Sequence, residues 1–210
     1  MRHDSYVADT GIEYFFVFLQ KNKKIFNPLL QKSINMEKQA ALNRIQNEVN
    51  DLIASVENVP ETLFFQQPHP EKWSVGQNIQ HLFQSSKPLV GLFGKPESME
   101  QFGRSPRSSY SYEEVATRYK TALQTPPPFL LAYRHLDTEG SKADMLANYR
   151  SLTAKLLERA ALFSEADLDS YQIPHPLLGL LTVREFLHFT AFHTRHHHDI
   201  IGKLVIGELV

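Results

Sequence analysis

The sequence predicts an all-α protein, an up-down four-helix bundle with an extra short helix in a long crossover. Three observations predict it. Apolar residues recur at alternating steps of three and four over several long stretches. Ser or Thr followed three residues later by Gln, Glu or Asp stands ahead of four stretches, as in helix capping boxes. No stretch alternates polar and apolar residues as a half-buried strand would.

The first long helix begins near Met36, and Leu42, Ile45, Val49, Leu52 and Val56 form its inward stripe before Pro60 stops it. The second opens with the Ser74–Gln77 box and carries Val75, Ile79, Leu82, Leu89 and Phe93. Residues 95–111, rich in Ser, Gly, Pro and Arg, read as a mobile surface loop. Ser111 and Glu114 open the short helix of the crossover, which must stop before Pro126, Pro127 and Pro128. Ser141 and Asp144 open a long helix over about 141–163, with Met145, Tyr149, Leu152 and Leu156 inward. A linker through Ser164, Pro174, Pro176 and Gly179 leads to the last helix, which begins at Thr182 with Glu185 completing its box. Residues 1–35 fit no clear period, and we read them as an N-terminal appendage, an upstream start, to a bundle domain covering 36–210.

Composition narrows the function. With 210 residues, 42% of them hydrophobic, the chain can bury a substantial core. The net charge is −1, from 22 basic and 23 acidic residues, and no basic arm or aromatic-studded basic groove is present, which argues against nucleic acid as a partner. The absence of cysteine excludes disulfides, thiolate ligands and a cysteine nucleophile, so any metal site must use histidine and oxygen; it also suits a reducing cytoplasm. The apolar run Tyr14–Leu19 is too short to cross a bilayer, and Lys21, Lys23 and Lys24 follow it rather than precede it as in a signal peptide. The expectation is a soluble, cytoplasmic protein with no membrane partner.

The last helix carries the chemistry. Its inward stripe runs Val183, Phe186, Thr190, His193, His197, Ile200, Leu204, so two core positions one turn apart are histidines. Each buried imidazole must satisfy a donor and an acceptor, and failing to do so costs about 1–3 kcal/mol per group. A divalent ion satisfies both rings, because residues at i and i+4 share a face and can converge on one ion at about 2.0–2.1 Å. A pair of core histidines bonded to hydroxyls, backbone or each other explains the pattern as well, and the helix alone leaves both readings open. His196, His198 and His188 lie off the stripe and read as surface or outer residues. A third ligand must come from another helix, and His81 is the best placed, although at about 100° from Leu82 it falls on the flank of its stripe. His3, His69, His135 and His175 fall in loops or the appendage and read as surface residues.

Two segments resemble a known family. PEKWSVGQNIQHL, residues 70–82, is similar to the signature of DinB/YfiT-like proteins, in which a Trp-Ser/Thr turn leads into a helix bearing a histidine ligand. HPLLGLLTVREFLHFTAFHTRHHHDI, residues 175–200, resembles their closing segment, with its His-Pro, Gly, Leu-Thr lead-in and two histidines four apart. The likeness covers roughly residues 36–205 in order and spacing. It implies a four-helix bundle binding one metal ion near one end through three histidines, matching His81, His193 and His197 here, and it supports His81 where periodicity does not.

Three ligands leave a coordination position open, the pattern of a catalytic zinc site, and such an ion can make a nucleophile from water near neutral pH. The base that HExxH proteases place after the first histidine is missing, since that position is Thr194. Glu185, two turns upstream, is engaged in its capping box; Asp199 lies across the helix from His197; Gln77, one turn before His81, can orient a ligand or water but cannot act as a base. A thiol substrate needs no protein base, because the ion itself deprotonates it. The resemblance implies both chemistries, since the superfamily includes thiol S-transferases and proposed metal-dependent hydrolases. The leading reading is therefore a metal-dependent enzyme on a small molecule, either a hydrolase or a low-molecular-weight thiol S-transferase, with zinc or nickel as the ion. A non-catalytic metal- or ligand-binding bundle is the alternative, and a metal-free helical interaction domain a third reading. Bundles of this kind can self-associate, so a homodimer is compatible with the sequence, though no exposed stripe requires one. Mass spectrometry of the natural N-terminus tests the upstream-start reading: a mature chain beginning near Met36 is expected, and one beginning at Met1 would remove it.

Overall fold

The computed structural model describes residues 37–125, 127 and 136–207. The proposed appendage over 1–35, with His3, lies outside the described residues, as does His135. Helix α1 covers 37–57, and all five predicted stripe residues, Leu42, Ile45, Val49, Leu52 and Val56, are buried. A short helix, α2 (Glu61–Phe65), follows, and its Phe64 lies so close to Gly76 that a Cβ there would sit 2.9 Å from the ring. Helix α3 (Val75–Phe93) starts at the predicted Ser74–Gln77 capping box. Next come α4 (Tyr112–Gln124), α5 (Lys142–Ala161), the short α6 (Glu165–Ser170) and α7 (Val183–Val205). Ser111–Glu114, Ser141–Asp144 and Thr182–Glu185 each form the box predicted for them.

Cross-helix contacts fix the directions. Lys38 at the start of α1 donates to the Ala161 carbonyl at the end of α5, while Glu57 at the end of α1 pairs with Arg150 and its carbonyl accepts from Lys142 near the start of α5. Helices α1 and α5 are thus antiparallel. Arg159, near the end of α5, donates to the Val90 carbonyl near the end of α3, so α3 and α5 run the same way. On α7, His193 meets His81 and His197 meets Asn78, which makes α3 and α7 antiparallel. The four long helices therefore run up, down, down, up. The crossover makes this possible: α4 takes the return leg and packs along α7, with Tyr112 against His188 and Tyr119 against His193.

Three local expectations need correction. Residues 95–111 are not a featureless mobile loop. Pro96–Phe102 forms a 3-10 helix, and the segment after it is fastened to the start of α7, where Arg107 pairs with Glu185 at 2.5 Å and the Tyr110 N–H donates to the same carboxylate at 2.6 Å. The supposed linker before α7 contains α6 and an antiparallel hairpin, β1 (Gln172–His175) with β2 (Gly179–Thr182). Its three-residue turn, 176–178, leads into Gly179 at the start of β2, whose φ of +74° is open to glycine at little cost. Finally, the far end of the α7 stripe turns away from the core. Ile201 is buried where Ile200 and Leu204 were expected, and both of those are half-buried. At about 100° per residue Ile201 returns to the azimuth of Val183 after five turns, whereas a strict three-four alternation drifts off it.

Among the described residues no helix is long and apolar enough to cross a membrane.

Glu185 is fully buried and joins three elements. It accepts from the Thr182 N–H of its own cap, from the Tyr110 N–H and from the Arg107 guanidinium. Glu185→Ala leaves these donors unanswered, and a loss of about 3 kcal/mol in urea unfolding is expected. A change below about 1 kcal/mol would show that the network does not hold the helix start.

Candidate metal centre

The centre is built on α3 and α7. Thr182 caps α7 through its hydroxyl, which sets the helix azimuth so that Thr190, His193, Thr194 and His197 all face inward. Residues 193 and 197 are one turn apart, and the antiparallel α3 brings His81 up to them, with His193 in the middle of the three. His193 Nε2 lies 3.1 Å from His81 Nε2 and 3.1 Å from His197 Nε2. The ligand atoms of all three rings lie within 4.8 Å of one another.

The protonation of His197 follows from its neighbours. Asn78 Nδ2 donates to the Ser74 carbonyl at 2.8 Å, so Asn78 Oδ1 is the atom facing His197 Nδ1, at 2.7 Å. His197 must donate from Nδ1, which leaves the lone pair on Nε2 directed at the other two rings. The three rings therefore cannot satisfy one another. With all of them neutral, a single proton on His193 Nε2 would have to serve both neighbours. Any other arrangement sets two lone pairs or two N–H groups face to face. A cation accepts all three lone pairs. Ligands at about 2.0–2.1 Å from one ion lie about 2.9–3.4 Å apart at bond angles between 90° and tetrahedral, and the two 3.1 Å separations fall inside that range. The donor set fits a divalent ion.

Aromatic groups enclose the cluster. Trp73 lies 4.8 Å from the His81 ring and 6.1 Å from that of His197, nearly parallel to the latter. Phe189 stacks on His193 at 4.9 Å, and Tyr119 meets His193 edge-on at 5.8 Å. Burial, reinforced by the mutual repulsion of the rings, holds His193 and His197 well below the usual imidazole range, and burial with the nearby His196 lowers His81 to about 4. All three are neutral at pH 7, the form in which imidazole binds metal.

The remaining candidates fall outside the cluster. Gln77 is held by its cap, with Oε1 accepting from the Ser74 N–H at 2.8 Å and Nε2 donating to the Leu136 carbonyl at 2.8 Å. Glu185 is held by the network at the start of α7. Thr194, where a metalloprotease has its glutamate, donates to the Thr190 carbonyl and accepts from the Tyr149 hydroxyl at 3.0 Å, tying α7 to α5. Asp199 pairs with Arg195 on the exposed side of α7. His196 is half-buried beside the cluster, His198 and His188 are half-buried elsewhere on α7, and His69 is exposed. No carboxylate joins the three histidines among the described residues.

His175 was expected at the surface and is not. It closes β1, lies half-buried 4.4 Å from the Phe189 ring, and burial lowers it to about 4. Asn78 was overlooked although its position shares the stripe of Val75 and Leu82, a signal that a buried amide in a helical core could have provided.

The family model for the DinB superfamily matches residues 43–201, a span that includes all three histidines. No curated protein matches the chain.

Burial holds His81, His175 and His188 near 4 in the folded chain, against about 6.5 once unfolded; Arg184 and Arg44 add to the effect at His188. Between those values the unfolded chain binds protons that the folded one refuses, so stability must fall as pH drops through this window. Calorimetry of the metal-free protein in chelator is expected to show Tm declining steadily from about pH 6.5 towards 4. A flat Tm over that range would mean the rings are not buried as neutral groups.

Proposed function

Because the chain belongs to the DinB superfamily, we propose that it is a metal-dependent enzyme that binds one divalent ion, zinc or nickel, through His81, His193 and His197 and acts on a small molecule in the cytoplasm. The observation that carries this reading is the convergence of three Nε2 atoms that cannot satisfy one another as neutral rings. A bound ion with an open position supplies a Lewis acid that lowers the pKa of a thiol or water placed against it. The chain's own residues hold and shield. Asn78 fixes the His197 tautomer, the kind of outer contact that orients a ligand and raises its basicity. Trp73 and Phe189 cover ring faces and keep water from them.

The reaction is hydrolysis or transfer of a low-molecular-weight thiol, and the side chains favour the thiol. Hydrolysis needs a group to receive the water proton, yet Thr194 and Glu185 are committed to structural hydrogen bonds. A thiol loses its proton at neutral pH once its pKa is lowered, without such a group. The same lack of a base favours the second reading, a non-catalytic bundle in which the ion joins α3 to α7 or holds a ligand.

Untagged protein purified without added metal is expected to carry about one ion per chain by inductively coupled plasma mass spectrometry, and His193→Ala and His197→Ala to carry none. Asn78→Ala should keep the site but weaken its metal affinity about 10–100-fold. No ion in the parent, even after incubation with zinc or nickel, would sink the metal reading.

A further inference from the structure

The turn before α7 holds a donor that the proposed metal chemistry leaves unused. His175 Nδ1 accepts from the backbone N–H groups of Leu177 at 3.1 Å and Leu178 at 3.2 Å. A neutral imidazole with Nδ1 as acceptor carries its proton on Nε2, and that N–H has no hydrogen-bond partner among the described residues. Tyr119 on α4 presents a second such group, a hydroxyl without a partner among the described residues on a ring that is only 7% exposed. His175 is half-buried, and Tyr119 keeps a small exposed fraction.

The two groups stand together beside the metal centre. Their rings are 6.4 Å apart and nearly perpendicular. Both border Phe189, Tyr119 at 5.2 Å and His175 at 4.4 Å, and Phe189 is the ring stacked on His193. In this tautomer His175 is an uncharged donor at Nε2, and the Tyr119 phenol is an uncharged donor at its hydroxyl. A site for phosphate or sulfonate calls for arginine or lysine, which bind such anions best. Two neutral donors beside an aromatic ring suit a neutral carbonyl oxygen instead, as in an oxyanion hole.

We propose that Tyr119 and His175 form an acyl-oxygen subsite, in which Tyr119 O–H and His175 Nε2–H donate to the carbonyl of a small acyl compound bound beside the three-histidine centre. This assigns a substrate class to the metal site and rests on the metal reading above.

The test uses the full chain loaded with zinc, with metal content measured first and two probes titrated by calorimetry. Benzohydroxamate chelates zinc through its two oxygens while its carbonyl keeps a lone pair free for a donor; azide binds zinc and has no carbonyl. Tyr119→Phe removes only the hydroxyl. His175→Asn keeps a side-chain acceptor for the turn and removes the Nε2 donor, and circular dichroism melting confirms that each variant folds. Each substitution is expected to weaken benzohydroxamate about tenfold, with azide affinity and zinc content unchanged. Full zinc loading with unchanged benzohydroxamate affinity in both variants would overturn the subsite alone, as would an equal loss for azide. A parent that takes up no zinc would overturn the metal reading, and the subsite with it.

Discussion

A neutral imidazole offers one N–H and one lone pair, and when it is buried both must find partners without a counter-charge to help. Three such rings meet here between two helices, and the hydrogen bonding around them determines how α3 and α7 sit. The first turn of α3 does most of this. The Ser74 hydroxyl caps the helix, the Ser74 carbonyl accepts from both the backbone and the side chain of Asn78, and Asn78 in turn holds His197. Gln77, in the same turn, completes the cap and reaches the Leu136 carbonyl beyond the crossover. One helical turn therefore sets the helix start, the ligand tautomer and the return of the chain.

Helix α7 is positioned with similar economy. Glu185 secures its start to the segment after the 3-10 helix, and Arg184 beside it pairs with Glu165 and Asp169. Further along, Thr190 and Thr194 return their hydroxyls to the carbonyls four residues before them, and Tyr149 reaches across from α5 to Thr194. These bonds satisfy polar groups that would otherwise be costly in a core, and the Tyr149 contact ties the helix that carries two of the three histidines to α5.

How much of this could be read in the sequence depended on whether the controlling forces were local. The capping boxes at Ser74, Ser111, Ser141 and Thr182 were legible because a cap is decided within four residues. The α7 stripe was legible through His197 because the core side of a helix repeats. His81 sits on the flank of its helix and is half-buried, so periodicity placed it ambiguously and only the resemblance to a family marked it as a ligand. The hairpin was missed because its strands are four residues each, too short for alternation to show, and with it went the burial of His175. Tyr119 and Phe189 carried no advance sign of their place by the histidines, since their contacts arise only when α4 folds back along α7.

The spacing of the three histidines also bears on the order of assembly. His193 and His197 are neighbours on one helix, whereas His81 and His193 are 112 residues apart in the chain. An unfolded or half-formed chain can offer an ion the local pair, but the third donor arrives only when α3 docks antiparallel to α7. Closing so long a loop has an entropic cost that the local pair does not meet. An ion held by all three nitrogens would therefore be the last element to lock in and the first to be released when the two helices part, which makes its exchange rate a direct clock for the breathing of that helix pair.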